Sequence, residues 1–266
     1  MPEYKFFQID AFAERAMAGG PAGVMPLDAF PDSGVMQAIA AENNLAETAF
    51  IVAKGQGAFD LRWFTPAVEA PLCGHATLAT AHALFSHLGF TGPEIAFDTL
   101  SGRLTVKRLP DGRLEMDFPA DMPKPIDAPA ALADALGAKP VEVHAGQYLL
   151  AVFESAAQIH VLKPDLAKVA ALGGKRMDIC CAAPGEAGYD VVSRFFAPAD
   201  GIPEDPATGS AHCMIAPFFS RRLAKPELRC FQAYPTRGAD ITTRIAGDRV
   251  KLIGRARTVI EGVFRM

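Results

Sequence analysis

The sequence predicts an α+β fold of two pseudo-symmetric domains, each a mainly antiparallel sheet wrapped around a central helix. Three observations predict it. The first is an internal repeat: "RWFTPAVEAPLCGHATLATAHAL", from Arg62, and "RFFAPADGIPEDPATGSAHCMIAPFF", from Arg194, both run from a basic residue through aromatics and a proline to a Gly-polar-Ala turn. Gly74 answers to Gly209, 135 residues on, and Gly102 in "SGRLTVKRLPDGRLEM" answers to Gly238 in "RGADITTRIAGDRVKL", 136 residues on. Two matches at nearly one offset, about half the chain, indicate a duplicated domain and not a solenoid of short repeats. The second observation is that strand patterns outnumber helical ones. The third is that each copy of the turn opens one helix rich in small residues, which suits burial inside a sheet.

In chain order, "YKFFQID", "TAFIVA", "FDLRWF", "RLTVKRL" and "RLEMDF" alternate or are rich in β-formers and read as strands, the last two joined through the "PDG" turn. Helical patterns are "SGVMQAIAAEN", "GHATLATAHALFSHL", "APAALADALG" and "TGSAHCMIAPFFSRRL", with Ser33 and Asp127 as caps for the first and third. Pro217 is expected to kink or shorten the fourth. These signals divide the chain into residues 1–118, a proline-rich linker at 119–130 and residues 131–266, with the option that the final strand packs back onto the first half.

Composition narrows the function. Half of the 266 residues are hydrophobic and 21% are charged, enough for a substantial core. A net charge of −4 without any block of like charges gives no footprint for nucleic acid or an anionic membrane. "MPEYKFFQIDAF" alternates like a strand and is not a leader, and no apolar run is long enough to span a bilayer, so a cytoplasmic location is expected. The five cysteines lack C-x-x-C spacing, which argues against a disulfide framework and a zinc site, and no metal is assigned. No G-x-S-x-G elbow, Walker loop or dinucleotide fingerprint is present, so the chemistry is expected to use acids, bases and backbone dipoles without a cofactor.

The two turns, "CGHAT" and "TGSAH", stand at helix starts, where unpaired N–H groups and the helix dipole favour carboxylate or phosphate. His75, Thr208 and Ser210 can add hydrogen bonds to such an anion, or Thr208 and Ser210 can serve only as caps. Cys73 reads equally as a nucleophile or base at a helix start and as a small buried apolar residue. Glu47, at the start of a strand in "NNLAETAFIV", and Asp205, in "EDPATG", are each either functional or ordinary solvated acids. His82, His87 and His212 read as packed or surface residues.

"NNLAETAF", "PLCGHATLATAHAL", "EDPATGSAH" and "RGADITTRIAGDRVKLIGRARTVIEG" together resemble the PhzF phenazine-biosynthesis family, within the diaminopimelate epimerase fold, over essentially the whole chain. The resemblance implies a cofactor-independent isomerase, a homodimer, acting on a small carboxylate in a cleft between its domains. In the phenazine enzyme a glutamate shuttles a proton during isomerisation of trans-2,3-dihydro-3-hydroxyanthranilate, and Glu47 matches its position. Matching positions further imply that His75 and Asp205 assist, and that Gly74, Gly209 and Ser210, with Cys73 and Thr208 beside them, bind substrate. Racemases of this fold oppose two cysteines, whereas here Thr208 stands in the second place, so two-base racemisation is not expected. A lyase or dehydratase, and a non-catalytic binding protein that keeps the fold, are the competing readings.

Overall fold

The computed structural model describes residues 3–172 and 178–266. The chain divides into two compact units, residues 1–117 with 253–266, and residues 118–252. In the first unit the order is β1 (Glu3–Ala11), β2 (Gly20–Leu27), α1 (Ser33–Asn43), β3 (Glu47–Gly55), β4 (Ala58–Phe64), β5 (Glu69–Ala70), α2 (Gly74–Ser86), β6 (Glu94–Thr99), β7 (Gly102–Arg108) and β8 (Leu114–Pro119), which reaches the boundary. In the second it is β9 (Lys124–Pro125), α3 (Leu132–Leu136), β10 (Glu142–Ala145), β11 (Leu149–Val152), α4 (Ala156–Val161), α5 (Leu166–Ala170), β12 (Ile179–Pro184), β13 (Val191–Ala197), β14 (Ile202–Asp205), α6 (Gly209–Leu223), β15 (Glu227–Gln232), β16 (Ala239–Ala246) and β17 (Arg249–Gly254). The last strand, β18 (Ala256–Arg265), pairs antiparallel with β1 of the first unit.

The duplication is visible in the pairing. β1–β2 and β10–β11 are antiparallel, β2–β3 and β11–β12 parallel, β3–β4 and β12–β13 antiparallel, and β4–β6 and β13–β15 parallel. The parallel steps are crossovers carried by helices, as parallel pairing requires. Residues 119–130 are folded into the second unit: β9 pairs with β10, and the Ile126 N–H donates to the Val143 carbonyl at 3.0 Å.

Period two places alternate side chains on opposite sheet faces, and here both faces are covered. In β12, Cys180 and Ala182 join Ala211, Met214, Ile215 and Phe219 of α6, while Ile179, Cys181 and Ala183 join the layer that contains α3, α4 and α5. That double burial explains why "ICCAAP" is a continuous apolar run. α2 is buried on nearly every side, through Ala76, Thr77, Leu78, Ala79, Thr80, Ala81, Ala83 and Leu84, and mostly small residues allow the sheet to approach it closely.

Three helix expectations are revised. Asp32, not Ser33, is the N-cap of α1, and Ser33 Oγ instead accepts from the Arg62 guanidinium at 2.8 Å. α3 begins at Leu132 with Ala131 as N-cap, so Asp127 caps nothing. α6 continues past Pro217 to Leu223 and is not shortened. Proline removes the N–H that would bond the Cys213 carbonyl, and the Asp121 N–H supplies the missing donor at 3.0 Å.

Ahead of each central helix lies the same clamp. Arg62 Nε and Nη2 donate to the two carboxylate oxygens of Glu69, each at 2.7 Å, and Arg194 does the same to Glu204 at 2.7 and 2.8 Å. Each guanidinium also lies over an aromatic ring two residues on, Phe64 at 5.2 Å and Phe196 at 5.0 Å from the ring centroid. The second clamp is the drier, with side chains 7% and 13% exposed against 22% and 25% for the first. Arg194 Nη1 also donates to the Leu162 carbonyl at 2.7 Å. Removing one partner of a buried pair strands the other charge, at a cost of about 3–5 kcal/mol, whereas a partly exposed pair is worth about 1 kcal/mol or less. Glu204→Ala is therefore expected to lower the stability of its unit several times more than Glu69→Ala, as read by urea unfolding. Equal losses would show that burial does not set the strength of the clamp.

Candidate active site

In the first unit, α1 ends at Asn44, which takes the left-handed conformation and donates its N–H to the Ala40 carbonyl. The chain then turns directly into β3, whose first residue, Glu47, sits in parallel register with Ala22 of β2. The carboxylate is therefore placed by the sheet, and at 8% exposure it is not a solvated acid. α2 starts one residue after Cys73, an extended N-cap whose side chain makes no capping hydrogen bond. Thr77 Oγ1 donates to the Cys73 carbonyl and holds the turn. Gly74 and His75 open the helix.

This geometry brings Glu47, Cys73 and His75 together. His75 Nε2 lies 2.9 Å from Glu47 Oε2, and Cys73 Sγ lies 3.7 Å from His75 Nδ1. The His75–Glu47 contact is close, but its direction is poor for a hydrogen bond, so both atoms are buried without a well-aligned partner. Several other buried polar atoms share this state, among them Trp63 Nε1 and Thr243 Oγ1, but Glu47 and His75 are the two that face each other at hydrogen-bond distance. Burial disfavours the His75 imidazolium, yet the neighbouring Cys73 and Glu47 outweigh it and hold the ring well above its ordinary pKa. Burial and then the Glu47 carboxylate push the Cys73 thiol up to about 11, with His75 and the Ala76 N–H offsetting only part of the rise. At pH 7 such a thiol is ionised to about one part in ten thousand.

The same three residues each offer one donor atom, all within 4.8 Å of one another. Thiolate, imidazole and carboxylate together suit a divalent transition metal, at the cost of releasing the thiol proton. Cysteine spacing does not reveal this set, because Glu47 lies 26 residues before Cys73 and on a different element.

The second unit builds its turn differently. Thr208 is the N-cap of α6, again without a capping side-chain bond. Its hydroxyl donates to Asp205 Oδ2 at 2.6 Å and accepts from Gln232 Nε2 at 3.0 Å, and its N–H donates to Gln232 Oε1 at 2.8 Å. Asp205 also accepts from the Ala207 N–H at 3.3 Å, so it organises the turn. Ser210 Oγ meets the Tyr148 hydroxyl at 2.8 Å, and burial raises the Tyr148 pKa. His212 is a packed residue: Nδ1 lies 2.8 Å from the Thr208 carbonyl, and burial lowers its pKa to about 4, so the neutral ring donates there.

Tyr148 and Gln232 were not found in the sequence. They come from β-rich segments 62 and 24 residues away from their partners and belong to no local motif.

A family model described as phenazine biosynthesis-like protein (PhzC-PhzF) matches residues 9–262. A Pseudomonas aeruginosa protein named as an uncharacterized isomerase is 43% identical over 265 residues, covering 99% of each chain. The crystal structure of a PhzF-family protein from Enterococcus faecalis superposes with a TM-score of 0.95 at 36% identity, covering all of both chains. A hydroxyproline epimerase from Agrobacterium vitis, at 12% identity and TM-score 0.59 over 98% of this chain and 92% of its own, shares the fold. The fold thus has solved counterparts, and the chain is an isomerase-type member of the PhzF phenazine biosynthesis-like family.

Proposed function

We propose that the protein is a cofactor-independent isomerase that moves a proton within a small carboxylic acid, with Glu47 as the acid/base. The observation that carries the reading is the buried Glu47–His75 contact, 2.9 Å apart with neither atom satisfied by a well-aligned partner. Glu47 accepts a proton from a carbon activated by an adjacent carbonyl or unsaturated group, breaking a C–H bond and forming O–H. It then returns that proton to a second carbon of the conjugated system. Negative charge that develops meanwhile is met by the uncapped N–H groups at the start of α2, where Gly74 leaves the backbone accessible. His75 keeps a positive charge beside Glu47, and Cys73 packs against the ring as a neutral thiol. In the second unit, Asp205 acts on the turn through Thr208, leaving Gly209 and Ser210 to hold an anionic group.

The test is proton exchange and conversion in D₂O, followed by NMR, on a panel of unsaturated and hydroxylated carboxylic acids that includes trans-2,3-dihydro-3-hydroxyanthranilate. Conversion is expected, with the receiving carbon carrying the transferred protium, or deuterium in the fraction of turnovers in which the Glu47 carboxyl exchanges with solvent before returning its proton, and turnover reduced about 10²–10⁴-fold in Glu47→Gln with unchanged circular dichroism. A folded Glu47→Gln protein with wild-type turnover would overturn the assignment. Release of water during turnover would favour the dehydratase reading instead.

The raised His75 pKa also has a pH signature. Its contribution to stability is complete below about pH 6.5, the unfolded value, and is lost as pH rises through the folded value. The charge beside Glu47 disappears over the same interval, so kcat/KM is expected to fall on the alkaline side. In His75→Gln that limb should vanish, leaving a flatter profile at lower activity. An unchanged alkaline limb in this variant would assign it to another group.

A further inference from the structure

Away from Glu47, the first unit holds a small cavity of about 160 Å³. Five of its lining residues carry polar side chains: His82 and Ser86 from α2, Arg108 at the end of β7, Arg255, and Arg257 of β18. No carboxylate lines it. Its volume leaves ample room for a single tetrahedral oxyanion.

The charges around it do not balance within the protein. Arg255 reaches the half-exposed Glu14 carboxylate at 3.5 Å and donates to the Asp111 carbonyl at 3.0 Å. Among the described residues, Arg257 donates to the Glu14 carbonyl oxygen, at 3.3 and 3.2 Å, and to no carboxylate. Arg108 lies over the Phe85 ring at 5.7 Å and has no carboxylate partner among the described residues. Three guanidinium groups are thus gathered around one cavity, and of the two nearby acids Glu14 is half-exposed while Asp111, which also acts on Arg255 through its charge, is already paired with Arg113. His82 registers the excess: burial first, then His87, Arg257 and Arg108, lower its pKa to about 4, so it stays neutral with Nε2 3.1 Å from Thr258 Oγ1. Structural reasons account for parts of this cluster, since Arg255 braces the "PDG" turn and Arg257 braces the segment at Glu14. They do not account for convergence on an acid-free cavity.

We infer that the cavity lined by Arg108, Arg255, Arg257, His82 and Ser86 binds a small phosphate-class oxyanion. Guanidinium groups present paired donors matched to phosphate oxygens, and Ser86 adds a hydroxyl. The site is independent of the Glu47 chemistry and uses none of its residues.

Isothermal titration calorimetry with inorganic phosphate, at constant ionic strength against chloride, tests it. Saturable binding with a Kd of about 1 mM is expected, in keeping with partly screened charges. Arg108→Gln and Arg257→Gln should each weaken it about tenfold or more, while Glu47→Gln should bind as the wild type does. Methyl phosphate forms a second arm: tighter binding than inorganic phosphate identifies a phosphate monoester as the occupant, and binding of inorganic phosphate alone identifies the free anion. Because either arginine variant could misfold, the wild-type His82 ring resonance, followed by NMR at fixed pH, should also shift saturably with phosphate. Absence of saturable heat in the wild type, unweakened binding in both arginine variants, or a silent His82 resonance would each overturn the site.

Discussion

Each central helix begins without a capping side chain, so its first N–H groups are left unmet by the N-cap, and this constraint shapes both units. α2 and α6 are built from small and apolar side chains because the surrounding strands leave little room, and neither N-cap side chain closes the first turn. The unmet donors create a demand for negative charge that the fold itself does not fill. The Arg–Glu clamps answer the mechanical half of this problem. Each locks the strand before the turn to the short strand that leads into it, so the helix start is held by a bidentate ion pair where a cap would otherwise act.

From this shared frame the two copies diverge. The first surrounds its turn with Glu47, Cys73 and His75 and leaves buried polar atoms poorly matched, a costly arrangement for stability alone. The second ties Thr208 to Asp205 and Gln232, so its donors and acceptors are largely spent within the unit. Burial explains both outcomes. The polar groups around Thr208 are networked, whereas Glu47 and His75 face each other without a well-aligned hydrogen bond.

Local signals in the chain carried much of this frame. Gly74 and Gly209 are the first residues of their helices, and the strands at 47–55, 58–64, 102–108 and 114–119 follow alternating or β-rich runs. Features that depend on distant partners were not legible. The basic residue that opens each repeat was visible, but its carboxylate partner was not, because Glu69 and Glu204 look like any loop acids until the strands fold back. α6 passes through Pro217 because a donor arrives from Asp121, which no helix rule contains. The short helices α4 and α5 carried a Ser155–Gln158 capping pattern and an Asp165 cap, but they are too brief for periodicity to show. At the site, the glutamate and the histidine were readable from motif, whereas Tyr148 and Gln232 enter through tertiary structure alone.

The pairing of β18 with β1 bears on how the protein comes into being. β1 contributes both its edges to the first unit's sheet, one to β2 and the other to β18 along its whole length, from Glu3 opposite Arg265 to Ala11 opposite Ala256. Residues 253–266 are translated after the entire second unit. A growing chain that has already emerged through residue 252 therefore carries a complete second unit and an unfinished first one, the reverse of the usual order in which the leading domain folds first. Until the last strand is made, one edge of β1 has no partner from its own chain. The unit that carries Glu47 is thus closed only after the residues of the second unit have been made, and premature termination within β18 would spare the second unit while leaving this one open.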